Sequence, residues 1–183
     1  MKTFIREIIQ VVVLAVAIYL VLHLAVQTVY VPSTSMEPSL RPGQLVLVGK
    51  VSYLFSAPQR GDVIVFHYPV DPKQDFVKRI IGLPGDTVEI KGGVTRINGS
   101  PLYEPYLASN QVSDFPATVV PPDRYFVLGD NRNVSYDSRY WGTVPRENIV
   151  GQTWLSLWPI DRWGPAPNYS FKAAGQETGE NSK

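Results

Sequence analysis

The most restrictive feature of the sequence is an apolar run of about 19 residues, Ile8–Val26, that only Gln10 and His23 interrupt. Roughly 20 apolar residues are needed to span a bilayer as a helix. A cleaved secretory signal has a shorter apolar core and a small-x-small site behind it, and residues 27–30 contain no such site. A helix buried in a soluble protein usually keeps a polar stripe. The run therefore predicts an uncleaved transmembrane anchor over residues 8–27.

The basic residues beside this run predict its orientation. Lys2 and Arg6 precede it, and no basic residue follows until Arg41. Positive charge accumulates on the cytoplasmic side of membrane helices. Residues 1–7 are therefore expected in the cytoplasm. The chain crosses the membrane once, and everything after Gln27 is expected outside the cytoplasm.

The remainder of the chain has the pattern of a mainly β protein. Its 16 prolines and 14 glycines all come after the apolar run and divide the chain into short apolar segments, which is typical of strands joined by turns. The predicted strands are Leu45–Val48, Val63–Tyr68, Phe76–Ile81, Thr87–Ile90, Val94–Ile97 and Tyr125–Leu128. Residues 100–123 are expected to form a loop excursion, and residues 164–183, which are small and polar, a disordered tail.

Composition excludes several classes of function. The formal net charge is +1, so no nucleic-acid partner is expected. The chain has no cysteine and only two histidines, His23 and His67, which are far apart. A thiol nucleophile is therefore excluded, and neither a metal nor another cofactor is expected. The sequence indicates no oligomeric state.

The segment Val31–Leu40, directly after the anchor, contains a candidate nucleophile in Ser35. Two structural interpretations compete with that role. Thr34 and Glu37 have the spacing of a helix capping box, and the segment could equally be a hydroxyl-rich turn between membrane and domain. The residues alone leave these alternatives open.

A second segment places a lysine in an apolar strand. Alternate side chains of a strand share a face, so Lys78 lies with Phe76 and Ile80, and Arg79 points to the other face. Burial can lower a lysine pKa from about 10.4 by up to ~3–5 units, which would make Lys78 a base near neutral pH. The alternative is an edge strand whose two cations are both solvated.

Two further segments stand out. Gly129–Gly142 carries more polar residues than a surface turn needs, which suits either a hydrogen-bonded loop or the support of a catalytic site. In Trp154–Trp158 the tryptophans alternate with leucines. That pattern fits a strand buried on both faces or, together with Trp163, tryptophans in the membrane interface.

Four segments, in order behind one membrane span, together resemble the type I signal peptidases, the membrane-bound serine–lysine proteases that remove signal peptides from exported proteins. They are Pro32–Leu40, Gly61–Phe66, Lys78–Asp86 and Gly129–Gly142. The first resembles the nucleophile box, the second a structural strand, the third the lysine box and the fourth the box that supports the lysine. The resemblance implies a barrel-like antiparallel β protease domain over residues 28–163, related to that of self-cleaving repressors, with a membrane span in place of their DNA-binding part.

The resemblance also implies roles for individual residues. Ser35 would attack the scissile carbonyl, and neutral Lys78 would take its proton. Ser135 would orient the lysine amine, Asp137 would brace the last segment, and Ser33 would supply a hydroxyl to the oxyanion hole. The positions that match a shallow pocket for alanine are Val31, Pro32, Met36, Leu40 and Val77. The expected partners are the lipid bilayer and the signal peptides of exported preproteins, cleaved after an Ala-x-Ala type of site.

Two alternatives remain to be weighed against this assignment. A serine–histidine mechanism would have to use His67, which fits a strand end better than a catalytic site. A membrane-tethered β-module that only binds extracytoplasmic peptides would keep the fold and have no need of Ser35 and Lys78.

Overall fold

The N-terminal helix and the first strand are continuous. A computed structural model describes residues 2–107 and 113–171. Helix α1 spans Lys2–Ala25, and strand β1 begins at the next residue and spans Val26–Tyr30. Within α1, Phe4–Ala25 is long and apolar enough to cross a membrane, and none of its most apolar window is buried in the protein. The helix thus ends two residues before the predicted end of the anchor, because Val26 and Gln27 already pair with the second strand.

The remaining strands are short and separated by turns. They are β2 (Leu45–Gly49), β3 (Val63–His67), β4 (Asp75–Gly82), β5 (Thr87–Lys91), β6 (Val94–Ile97), β7 (Ser100–Pro101), β8 (Phe115–Val119), β9 (Arg124–Leu128), β10 (Val144–Pro145), β11 (Ile149–Trp158) and β12 (Gly164–Pro165). A four-residue helix, α2 (Ser138–Trp141), follows β9. The six strands predicted from the apolar segments are all present, because the apolar residues of each pair with and pack against neighbouring strands.

The larger sheet carries the lysine-bearing strand near its middle. Its strands pair in the order β1-β2-β11-β3-β4-β9-β10, with β12 also on β11. Every pairing in the described ranges is antiparallel. The path is open, with β1 and β10 at its ends. The predicted mainly antiparallel β fold behind one apolar helix is confirmed.

Strands β3 and β4 are buried on both faces. Val63 and Val65 of β3 pack into one apolar cluster, whereas Ile64 and Phe66 pack into another. Because successive side chains of a strand point to opposite faces, each strand separates two cores. A polar side chain in β4 beyond its exposed first residue, Asp75, therefore has little access to water.

The expected 100–123 excursion differs from a simple loop. Its two ends form β7 and β8, which complete a four-stranded sheet in the order β7-β6-β5-β8. The turn Gly92–Gly93 closes the β5–β6 hairpin, where Lys91 pairs with Val94. Part of the excursion, residues 108–112, lies outside the described residues. The polar and proline-rich composition concealed the two strands because they are short and largely exposed.

The expected disordered tail also differs over its first eight residues. Gly164 and Pro165 pair with β11 as strand β12. The side chain of Asn168 then accepts a hydrogen bond from the Val63 amide and donates one to the Thr153 carbonyl. Residues 164–171 are held to the sheet by their backbone and by this one amide, which composition does not reveal. Residues 172–183 lie outside the described part of the chain.

The tryptophans of β11 lie on its exposed face. Trp154 is 37% exposed and Trp158 56% exposed. The interpretation of a strand buried on both faces is therefore wrong for these residues, since the face they share is only partly covered by other elements.

Candidate active site

Ser35 lies in one turn of 3-10 helix, Thr34–Met36, just after β1. The turn cannot continue because Pro38 follows. Ser35 is nonetheless held in place within this short turn. It is buried, and its carbonyl accepts a hydrogen bond of 3.0 Å from the Asn131 amide. The loop after β9 therefore holds the serine in place. The capping box considered for Thr34 is not formed by its side chain, and Ser33 precedes the turn without a capping hydrogen bond.

Lys78 reaches Ser35 from the middle of β4. Lys78 pairs with Ile64 in the β3–β4 ladder. Its Nζ lies 2.6 Å from the Oγ of Ser35 and 3.0 Å from the carbonyl oxygen of Val77, and it stands 5.6 Å from the centre of the Phe76 ring. The side chain is buried. The structure thus brings together the two residues that the resemblance paired across 43 positions of sequence.

The position of Lys78 changes its acid–base behaviour. Burial disfavours the ammonium form and lowers the pKa of Lys78 to about 8, whereas the negative charges of Asp137 and Asp130 act in the opposite direction. Desolvation outweighs the two carboxylates. A useful fraction of the lysine is therefore neutral near pH 8, where it can accept a proton.

Two further serines lie close to Ser35. The Oγ of Ser33 is 3.2 Å from the Oγ of Ser35. Ser135 is buried, and its Oγ has no hydrogen-bond partner within the described ranges. The expected contact between Ser135 and the amine of Lys78 is therefore not formed in this structure. A Cβ built on Gly129 would lie 2.3 Å from the Oγ of Ser135 and 2.4 Å from the Ser35 carbonyl oxygen, so Gly129 allows this close approach.

Asp137 braces the loop that carries Ser135. Its carboxylate accepts a hydrogen bond of 3.1 Å from the Gly129 amide and pairs with Arg139 at 2.8 Å. Arg139 in turn donates to the carbonyls of Arg132 and Ser135. The fourth predicted segment therefore folds back on itself through one buried ion pair.

Sequence reasoning missed a second buried ion pair beside the lysine. The guanidinium of Arg79 binds both carboxylate oxygens of Asp130, at 2.8 and 2.7 Å, and neither side chain is exposed. Arg79 also donates to the carbonyls of Gly61 and Pro167, and its guanidinium lies 4.0 Å from the centre of the Tyr106 ring. The sequence did contain an indication: an arginine in an apolar strand stays charged and needs an anionic partner when it is buried.

The predicted substrate pocket residues fall into two groups. Val31, Met36, Leu40 and Val77 are buried in the same apolar cluster, beside Val63 and Val65 of β3. Pro32 is exposed. The apolar cluster therefore underlies the Ser35 turn, and Pro32 lies at its surface.

His67 does not join the site. It ends β3 opposite Asp75, three pairs along the ladder from Ile64 and Lys78, which corresponds to roughly 10 Å. Its Nδ1 lies 2.7 Å from the Asp75 carboxylate, and both side chains are substantially exposed. No group of three or more metal-binding side chains occurs in the ranges 2–107 and 113–171.

This arrangement can support one kind of chemistry. A buried amine with a lowered pKa touches a serine hydroxyl, and a second hydroxyl stands beside the first. Such a pair can activate the hydroxyl as a nucleophile without histidine, because a neutral amine accepts the proton that the hydroxyl must lose.

Comparison with known proteins agrees with this chemistry. The family model described as "Signal peptidase, peptidase S26" matches residues 4–158. A "Signal peptidase I" from Leptolyngbya laminosa is 47% identical over 150 residues, which cover 76% of this chain and 74% of that protein. A "Signal peptidase IB" from Staphylococcus aureus is 36% identical over 180 residues, covering 88% of this chain and 93% of that protein. The predicted resemblance is thereby confirmed, and the chain belongs to the signal peptidase family, peptidase S26.

Proposed function

We propose that this chain is a signal peptidase in which Ser35 is the nucleophile and Lys78 the general base. It removes signal peptides from exported preproteins while its N-terminal helix anchors it in the membrane. The observation that carries the assignment is the 2.6 Å contact between the Lys78 Nζ and the Ser35 Oγ, made by a buried lysine of lowered pKa.

The first half of the reaction forms an acyl-enzyme. Neutral Lys78 takes the proton of the Ser35 hydroxyl, and the Oγ attacks the scissile carbonyl carbon to give a tetrahedral intermediate. The lysine, now an ammonium, gives that proton to the amine of the leaving mature protein as the C–N bond breaks. The signal peptide remains as an ester on Ser35.

The second half restores the enzyme. A water molecule loses a proton to Lys78 and attacks the ester carbonyl, and the collapsing intermediate releases the signal peptide carboxylate. The Ser35 oxygen recovers its proton from the lysine. One amine thus serves as base and then as acid in each half, which requires a pKa near the working pH.

The oxyanion of both intermediates needs hydrogen-bond donors. We assign this role to the Ser33 hydroxyl and the Ser35 backbone amide. The 3.2 Å separation of the Ser33 and Ser35 hydroxyls supports the assignment, because the developing oxyanion forms next to the Ser35 Oγ. One such donor typically contributes about 10²–10³-fold to kcat.

Ser135 and Asp137 are proposed as positioning residues. The unpartnered hydroxyl of Ser135 lies buried against Gly129, and the same glycine lies against the Ser35 carbonyl. A small movement would let Ser135 hold the Lys78 amine. Asp137 fixes the Ser135 loop through Gly129 and Arg139.

The substrate would bind as an extended strand. β4 pairs with β9 only from Arg79 onward, so within residues 2–107 and 113–171 no other strand pairs with the edge of β4 over Asp75–Lys78 on that side. A peptide added there can use backbone hydrogen bonds, while its small side chains would lie against Pro32 and over the buried apolar cluster that contains Val31, Met36, Leu40 and Val77. This supports cleavage after small residues of the Ala-x-Ala type.

The same proposal includes the orientation in the membrane. Lys2 and Arg6 before the apolar segment favour a cytoplasmic N-terminus and an extracytoplasmic protease domain. Ser35 follows Ala25 by ten residues, which places it within roughly 35 Å of the membrane exit even in an extended chain. A signal peptide that is still in the bilayer would present its cleavage site at that level.

The test is a preprotein cleavage assay with full-length detergent-solubilised protein. Ser35→Ala and Lys78→Ala should each abolish cleavage, and His67→Ala should cleave at the wild-type rate. Retained cleavage in Ser35→Ala would refute the nucleophile. Full peptide binding with no cleavage in the wild-type protein would favour the alternative of a binding module.

A further inference from the structure

A pocket of about 560 Å³, separate from the Ser35–Lys78 site, lies where α1 passes into the larger sheet. It is lined by the last two turns of α1, the start of β1 and the end of β2, and its lining includes neither Ser35 nor Lys78. The Lys50 amide donates to the Ala25 carbonyl at 2.8 Å, which fixes this corner of the sheet to the end of the helix. The pocket is therefore formed by the fixed junction between the anchor and the protease domain.

The polar side of this pocket has unused hydrogen-bonding capacity. Lys50, Gln27 and Thr28 line it, and across residues 2–107 and 113–171 their side chains make no hydrogen bond or ion pair. No lining side chain is acidic. Thr28 shares the strand face of Leu47, which also lines the pocket. A half-buried ammonium without a carboxylate partner, next to this hydroxyl, favours an anion that accepts several hydrogen bonds.

The pocket also changes in polarity along the helix axis. Tyr19 and Leu22 line its helical side one to two turns before Ala25, and His23 lines it nearer the end of the helix. Lys50 and Thr28 line the side of the sheet, beside Val26 and Leu47. The 22-residue span Phe4–Ala25 has a length of roughly 33 Å, close to the ~30 Å hydrocarbon thickness. Ala25 thus lies at the membrane surface, with the polar part of the pocket just above it. Apolar groups below and a cation above match the order of groups in a phospholipid.

The turn after Lys50 gives independent support for contact with lipid. Leu54 is 70% exposed and Phe55 95% exposed, in a turn that starts at the residue bound to Ala25. Exposed aromatic and aliphatic side chains at this level are suited to the interfacial region of a bilayer. The turn therefore begins beside the pocket, at the same end of α1.

We propose that this pocket binds the phosphate of an anionic phospholipid through the Lys50 ammonium, with the Thr28 hydroxyl as a further donor and the acyl chains beside Tyr19 and Leu22. The competing explanation for Lys50 is that its charge only complements the negative end of the α1 dipole. That explanation predicts an effect on stability and none on lipid preference. The two can therefore be separated.

The experiment measures lipid retention by native mass spectrometry of the full-length protein in a neutral detergent. The probes are phosphatidylglycerol, phosphatidylcholine and inorganic phosphate, and the variants are Lys50→Gln and the matched control Lys73→Gln, an exposed lysine on the β3–β4 turn. We expect wild type and Lys73→Gln to prefer phosphatidylglycerol. Lys50→Gln should bind it about tenfold more weakly and bind phosphatidylcholine as before, as one lost charge-assisted hydrogen bond predicts.

Three results would overturn the proposal. Equal phosphatidylglycerol binding by Lys50→Gln and Lys73→Gln would show that the Lys50 charge only complements the dipole of α1. Displacement of the lipid by millimolar inorganic phosphate would define a site for the free ion, and displacement by an equimolar apolar helical peptide would assign the pocket to a substrate's membrane segment. Thr28→Val, which removes the hydroxyl and keeps the charge, should give an intermediate loss. It shows whether a weaker binding of Lys50→Gln reflects the site and not a folding defect. Preprotein cleavage in detergent should be unchanged in Lys50→Gln, so failure here is distinguishable from failure of the Ser35–Lys78 mechanism.

Discussion

Arg79 and Asp130 form a two-point ion pair in which neither side chain is exposed to solvent. The pair joins β4, directly after Lys78, to the loop that holds the Ser35 carbonyl. Removing one member of a buried pair leaves an uncompensated charge. Both the stability of the protease domain and the geometry of its active site should therefore depend on the Arg79–Asp130 pair.

Asp130→Asn should lower the free energy of unfolding by about 3–5 kcal/mol, because the Arg79 charge stays buried without its partner. The matched control is Asp161→Asn, whose carboxylate is exposed and lies 3.8 Å from Arg162. An exposed pair contributes at most about 1 kcal/mol. Denaturant unfolding of both variants in the same detergent measures the difference, and equal losses would contradict a structural role for the Arg79 pair.

The rate of cleavage should rise with pH through the pKa of Lys78. Below pH 8 the free enzyme holds mostly the ammonium form, which cannot take the Ser35 proton. Because burial lowers this pKa to about 8, kcat/KM should rise tenfold per pH unit below that value and level off above it. Steady-state kinetics on a peptide substrate provide the profile. A midpoint near 6.5 would indicate a histidine instead.

Asp137→Asn should move that midpoint to lower pH. The Asp137 carboxylate favours the ammonium form of Lys78, so its neutralisation removes a charge that raises the pKa. Asp75→Asn is the control, since Asp75 pairs with His67 at the exposed end of β4. An unchanged midpoint in Asp137→Asn, with folded protein, would show that the carboxylate has no electrostatic influence on the base.

Ser33→Ala should reduce kcat by about 10²–10³-fold with little change in KM, because an oxyanion donor acts mainly in the transition state. Ser33→Thr keeps a hydroxyl at this position and should recover part of the loss. Burst kinetics with an ester substrate separate acylation from deacylation. Equal activity of Ser33→Ala and wild type would remove Ser33 from the oxyanion hole.

Gly129→Ala should impair cleavage more than folding. Its new methyl group would lie 2.3 Å from the Ser135 Oγ and 2.4 Å from the Ser35 carbonyl oxygen, so the Ser35 turn has to move. Gly151→Ala is the matched control, with a contact of 2.3 Å to the Gly49 carbonyl oxygen in the sheet. Specific activity per folded molecule should fall in Gly129→Ala and remain near wild type in Gly151→Ala, which should lose only stability.

Local patterns in the sequence predicted the strands, and the resemblance of four segments to a known family predicted the Ser35–Lys78 pair. An unbroken apolar run such as Val63–Phe66 places apolar side chains on both faces of β3, and a turn such as Gly92–Gly93 needs only its own glycines. The roles of Ser35 and Lys78, however, depended on the resemblance, because each residue alone also fitted a surface environment.

The features that the sequence did not predict depend on contacts between distant segments. β11 pairs with both β2 and β3, and the Asn168 side chain joins β3 to β11 across 105 and 15 positions of sequence. The bidentate contact of Arg79 with Asp130 spans 51 positions. No local periodicity specifies such partners, since they are fixed only when the sheet has formed.

The direct passage from α1 at Ala25 into β1 at Val26 has a mechanical consequence. No linker residue separates the helix from the strand, and the Lys50 amide is hydrogen-bonded to Ala25. A change in the tilt of the anchor should therefore be transmitted to the larger sheet. Five residues of β1 extend over roughly 17 Å, so a 10° change in helix tilt would shift the far end of β1 sideways by about 3 Å. Bilayer thickness influences that tilt and would thus change the position of Ser35 relative to a substrate held in the membrane.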